Sequence, residues 1–149
     1  MEFDVAPAST GVTAALIAII AFILAFALFF AWIALASARM SLVVEEGSLR
    51  LRAPFYGRSI PLERLDLASA RVVDLDTVSG LRPRSRTNGI GMPGLGVGWF
   101  RLQDGTKALL AVTDRRKVLH LPTRDGFDLL ASVKEPARLL EELRSRAGV

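Results

Sequence analysis

The sequence predicts a single N-terminal transmembrane α-helix, followed by a mainly-β domain that ends in a C-terminal α-helix. Three observations lead there. Residues 12–38 contain no charge, no proline and no glycine. From Met40 onward, short apolar runs alternate with turns marked by Gly, Pro and Asp. The last residues carry an apolar stripe at helical spacing, with charges elsewhere.

The apolar stretch sets the frame. At ~1.5 Å per residue it makes a helix of roughly 40 Å, against a hydrocarbon core of ~30 Å. The uncharged run is longer still, bounded by Asp4 and Arg39. A buried helix of a soluble domain usually shows a polar stripe, and this one shows none. A cleaved signal peptide is the other reading. Ala34-Leu35-Ala36 and Ala36-Ser37-Ala38 resemble cleavage tripeptides, but the leading flank is acidic and the apolar core is about twice too long. A retained anchor is therefore expected. Alanines 14, 18, 21 and 25, and again 27, 31, 34 and 38, have spacings that let two helices approach closely. In an alanine-rich span such spacing also arises by chance.

Charge orients the chain. From Arg39 on there are 19 Lys and Arg against 13 Asp and Glu, a net +6, and no basic residue precedes Arg39. Arg39, Arg50, Arg52 and Arg58 follow the span closely, so the positive-inside rule places the C-terminal side in the cytoplasm. The expected organisation is a short extracytoplasmic N-terminus over 1–11, a span over 12–38 and a cytoplasmic domain over 39–149. The protein is then a single-pass cell-membrane protein whose first partner is the lipid bilayer. With no cysteine there is no disulfide framework and no Cys-ligated metal.

The domain reads as short strands. Leu42, Val43 and Val44 lead into a Glu46-Gly47 turn, and Leu49 and Leu51 then alternate with Arg50 and Arg52. Pro54, Tyr56 and Gly57 break that run. Ile60 and Leu62 flank Pro61, which suits an edge strand or a strand start. A valine-rich strand is expected over 70–75. Residues 76–98 then read as a long irregular loop, with six of the twelve glycines, two prolines and three arginines. Strands resume at Trp99, Phe100 and Leu102. The run Gln103-Asp104-Gly105-Thr106 signals a hairpin before a strand over 107–113. Further strands are expected over 118–121 and 127–133. Pro136 opens a helix whose Leu139, Leu140, Leu143 and Ala147 form one stripe. The total is seven or eight strands. Connections of two to six residues favour antiparallel pairing throughout, and the helix is suited to covering an open end of the sheet structure.

Several motifs carry a chemical reading and a plain one. Gly89-Ile90-Gly91-Met92-Pro93-Gly94 matches G-x-G-x-x-G. A dinucleotide site needs a strand before it and a helix after it; here Pro93 interrupts and a strand follows. Close packing or positive φ is the plainer reason for these glycines. His120 is the only histidine, so a metal site or catalytic triad lacks its partners. Acidic pairs such as Asp74/Asp76 and Glu141/Glu142 read as turn and surface charges. No cofactor, metal ligand set or catalytic residue is expected, and the chain reads as a non-enzyme. An enzyme or enzyme subunit is the distant alternative.

Taken in order, Arg86-Thr-Asn-Gly-Ile-Gly-Met-Pro-Gly94, Gly98-Trp-Phe-Arg-Leu102, Ala108-Leu-Leu-Ala-Val-Thr-Asp-Arg115 and Leu121-Pro-Thr123 resemble the bacterial pleckstrin-homology (PH) domains of small membrane proteins. The resemblance covers about 41–145. It implies a PH-like, partly open seven-stranded barrel with a C-terminal helix. It brings no catalytic residues and no defined ligand. PH domains that bind phosphoinositides place basic residues in the first hairpin, whereas here the tip carries Glu45 and Glu46.

The functional expectation is a membrane-anchored binding module that mediates protein interactions at the cytoplasmic face. The candidate surface is Arg82, Arg84, Arg86 and Asn88 of the glycine-rich stretch, Trp99 beside it, and Arg115, Arg116 and Lys117 of a later turn. The alternative is a sensor of anionic lipid headgroups through the same basic residues. Nucleic acid is not expected as a partner, because nearby acids balance the charges and the chain is tethered.

Overall fold

The computed structural model describes Met1 and residues 4–149; Glu2 of the acidic N-terminal flank lies outside the described residues. The chain divides into two compact units, Met1–Ala38 and Arg39–Val149.

The first unit is dominated by helix α1, Thr10–Ala38. It starts two residues before the expected span. Ser9 marks the start: its carbonyl accepts the Thr13 N–H at 3.1 Å, and its hydroxyl lies 3.4 Å from the Val12 nitrogen. Phenylalanines 22, 26 and 30 follow one another along the helix, with ring centroids 6.0 and 4.7 Å apart. Polar Ser37 donates to the Ile33 carbonyl at 2.8 Å, so its hydroxyl is satisfied within the helix. The helix is long and apolar enough to cross a membrane.

The second unit holds nine strands in two sheets. Strands β1 (Ser41–Glu45), β2 (Ser48–Arg52) and β3 (Arg58–Pro61) form an antiparallel meander. The larger sheet contains β4 (Arg71–Val73), β5 (Pro83–Met92), β6 (Leu95–Leu102), β7 (Lys107–Val112), β8 (Val118–Pro122) and β9 (Phe127–Ala131), in the spatial order β4-β8-β9-β7-β6-β5. Helix α2, Pro136–Ala147, ends the domain. Its C-terminus is capped by Gly148 in the left-handed conformation, whose N–H reaches back to Arg144 and Ser145.

Strand alternation in the large sheet builds two cores. Leu109, Ala111, Leu119, Leu121, Leu129 and Ala131 point to the first face. There they meet Leu49, Leu51 and Ile60 of the small sheet and Leu140 and Leu143 of α2. Ala108, Leu110, Val112, Val118 and Leu130 point to the second face. The segment carrying Leu75, Val78 and Leu81 covers them. Because both faces are buried, β7 and β8 read as continuous apolar runs rather than as alternating ones. Arg144 pins α2 in place by donating to the Leu67 and Ala70 carbonyls at 3.2 and 3.0 Å.

Three expectations are corrected. The sheets do not close into a barrel. Pro61 ends β3 without a donor, the chain then bends through a 3-10 turn at Leu62–Arg64, and only an isolated bridge, Leu65 to Thr123, joins that segment to the large sheet. Pairing is not antiparallel throughout. β9 inserts between β8 and β7 and runs parallel to β7. Ser132 clamps this crossover: its hydroxyl accepts the N–H groups of Thr113 and Asp114 at 3.1 and 3.0 Å and donates to the Asp114 carbonyl at 2.7 Å. Finally, the long loop over 76–98 is largely strand. β5 and β6 pair from Pro83–Leu102 to Met92–Leu95, with irregularities between Pro83 and Ser85 and between Arg86 and Asn88.

Candidate functional site

The glycines that read as loop markers are what lets β5 and β6 pair. A Cβ on Gly89 would lie 2.5 Å from the Val97 carbonyl and 3.2 Å from the Phe100 ring. One on Gly91 would touch the same ring at 3.4 Å. The Phe100 ring therefore lies over bare backbone on β5, which brings this long edge strand flat against its neighbour. Gly94 supplies the positive φ, 78°, of the tight turn between the two strands. The G-x-G-x-x-G spacing thus serves a hairpin. No helix follows it.

Trp99 and Phe100 part company as strand alternation requires. Phe100 is buried on the second face. Trp99 packs half-buried on the first, edge-on to Phe127 with centroids 5.2 Å apart. Arg58 and Lys107 lie over the Trp99 ring at 5.6 and 4.5 Å. Asn88, opposite Trp99 in register, accepts a hydrogen bond from the Tyr56 hydroxyl at 3.1 Å.

The basic residues separate into two kinds. Arg82 is a structural tie: its guanidinium donates to the Leu75 carbonyl at 2.8 Å and to the Asp76 carbonyl. Arg115 pairs with Asp76 at 3.4 Å, and its carbonyl accepts the Leu75 N–H at 2.8 Å. These two arginines hold the segment that covers the second face. Arg84 and Arg86, by contrast, are exposed on β5 with no ion pair among the described residues. Arg116 and Lys117 are exposed in the β7–β8 turn, where the Arg116 N–H caps Asp114 at 2.9 Å. Replacing Arg82 by Ser should therefore cost ~1–3 kcal/mol of stability. The Arg84→Ser, Arg86→Ser pair should move it by less than ~0.5 kcal/mol, as read by urea unfolding.

Beside β5, on the second face, lies an open apolar groove of about 410 Å³. Met92, Leu95, Phe100, Leu110 and Val112 form its walls, Gly91 and Gly96 its floor, and Arg115 reaches its lip. It extends to Pro83, near the start of β5. Sequence reading missed this groove, because residues from three strands and the Leu75 segment meet there only in the folded sheet. The glycines at 89, 91 and 96 were its one signal.

His120 and Asp128 face each other across β8 and β9. The histidine Nε2 donates to the carboxylate at 2.7 Å, and the imidazole is almost fully buried. Its Nδ1 has no partner among the described residues. Strand alternation puts both side chains on the second face. Among the described residues, no group of three or more His, Asp or Glu is placed to hold a metal.

The C-terminal helix completes the first core between the two sheets, and the first hairpin is acidic at its tip. The family model for the bacterial PH domain matches residues 40–147. The chain belongs to that family. Neither a curated protein nor a solved structure matches it. The match spans both sheets and α2, and leaves α1 outside the PH domain. PH-like domains are generally non-catalytic binding modules. In this PH domain Glu45, at the tip of the first hairpin, holds Arg50 at 3.2 Å. Arg84 and Arg86 on the edge strand β5 have no such partner among the described residues.

Proposed function

We propose that this PH domain is a protein-interaction module held at the cytoplasmic face of a membrane by α1. Its contact surface is the outer edge of β5. The observation that carries this reading is the edge itself. β5 is ten residues long and pairs on one side only, with β6. Its outer N–H and C=O groups offer a template for an added strand. Arg84 and Arg86 stand on that edge, and no Asp or Glu occurs between Asp76 and Asp104. The edge therefore favours an acidic segment. A second copy of β5 is disfavoured, because it would bring four arginines and no acid to one seam.

Orientation is tested by a reporter fused after Val149, which should be active in the cytoplasm and silent outside. Partner binding is tested by cross-linking from Thr87 in native membranes. The Arg84→Glu, Arg86→Glu variant should lose its cross-links while its melting temperature stays within a few degrees. If the same variant instead keeps its protein cross-links and loses binding to phosphatidylserine vesicles in low salt, the arginines read anionic headgroups. That result would replace the protein reading.

A further inference from the structure

Resting on that reading of β5, we infer that the partner segment carries a large apolar side chain that seats in the groove beside the strand, next to the carboxylates that meet Arg84 and Arg86. Three features converge. The groove touches β5 at Pro83 and at Gly91 and Met92, next to the Gly94 turn, so a strand added at the β5 edge passes beside it. In register, Gly91 faces Gly96, so the floor of the groove carries no side chain at that row, while the Phe100 ring covers Gly89 and walls the groove on that side. A side chain entering at the Gly91–Gly96 row meets Phe100, Leu110 and Val112. Met92, at the far end of β5, is 39% exposed and unbranched, a flexible wall that adapts to an entering group.

Charge then decides the rest of the occupant. Arg86 stands opposite Phe100 in register, and so sits at the outer border of the groove. Arg115 reaches the opposite lip. An extended segment that alternates residue by residue sends every second side chain to this face. One position fills the groove at the Gly91–Gly96 row, and the position four residues along faces the Arg86–Phe100 row. The recognised pattern is a carboxylate and, four residues from it, Leu, Ile, Phe or Met. Apolar burial supplies the affinity, and the carboxylates fix the direction of the strand.

The test uses the full chain in nanodiscs of phosphatidylcholine, which offers no anionic lipid. A display library of random decapeptides is selected against it. Enriched peptides should share an acidic residue four positions from a large apolar one. Changing their apolar residue to Ala should weaken binding at least tenfold on the native protein. Two variants then probe the groove: Gly96→Leu, which fills the floor, and Met92→Asp, a surface change that places a carboxylate in the wall. Each should weaken the peptide at least tenfold, with an unfolding midpoint close to native for Met92→Asp. Peptides that depend on Arg84 and Arg86 but ignore both groove variants and show no apolar preference overturn this inference and leave the edge reading standing. Purely apolar peptides displaced by dodecanoate overturn it in favour of an acyl-chain site. A selection that enriches nothing overturns both the inference and the edge reading.

Discussion

Replacing Leu143 by Ala should destabilise the PH domain by ~2–5 kcal/mol, the range for truncating a leucine in a packed core. Leu143 is fully buried on α2, within the cluster that joins the small sheet to the first face of the large one. Besides Leu143, the helix is held by buried Leu140 and Pro136, by Leu139 at the rim of the same core and by the two hydrogen bonds from Arg144. The cavity would lie where the two sheets and the helix meet, so relaxation from any one element cannot fill it. Pulse proteolysis of the micelle-solubilised chain in urea reads the loss. Glu141→Ala, on the exposed side of the same helix, is the control and should move the midpoint little. An unchanged midpoint for Leu143→Ala would mean that α2 is not docked on the first core.

The second large effect is expected at Gly98. Its φ of 111° lies in a region that residues with a Cβ rarely enter. A Cβ there would also come within 2.6 Å of the Gly89 Cα and 2.7 Å of the Asn88 carbonyl. Both are backbone atoms of the paired strand, so no rotamer change relieves the clash. Strain and overpacking together should cost on the order of 3 kcal/mol or more for Gly98→Ala. Gly47 provides the comparison. Its φ is also positive, at 75°, but nothing lies within 4 Å of its added Cβ. Gly47→Ala should therefore cost only backbone strain, ~1 kcal/mol. Hydrogen exchange of β5 amides checks the mechanism. In the Gly98 variant the β5–β6 ladder should open locally, while protection in β7 and β9 persists until global unfolding. If the two alanine variants lose equal stability, the close approach of β5 and β6 is not what Gly98 serves.

Both predictions bear on function through the same element. β5 is held by one neighbour, and that pairing depends on glycines with no room for a side chain. The strand is therefore placed firmly enough to act as an edge, while its outer groups stay open.

Much of this architecture was legible in the order of residues. A run without charge from Val5 to Ala38 marks a long apolar helix, because a segment of that length without charged side chains suits a hydrocarbon core. Leu49 and Leu51 alternating with Arg50 and Arg52 mark a strand with one wet face, because side chains alternate at every residue. The spacing of Leu140 and Leu143 marks the buried face of α2, and both are buried, together with Pro136. These are local patterns, and local geometry alone writes them. Tertiary structure decided the rest. The glycines of 89–98 signal a loop by propensity, yet they form a ladder, because a ring from the next strand needs the space that side chains would take. Arg82 and Arg84 look alike in sequence. One reaches back to the Leu75 carbonyl and the other does not, which depends on where the covering segment lies. The parallel insertion of β9 beside β7 depends on a serine clamping a distant turn, and the open edge of β5 depends on that strand order. Contacts between residues far apart in the chain leave no periodicity behind, so only the folded sheet brings the two arginines, the bare glycines and the apolar groove together.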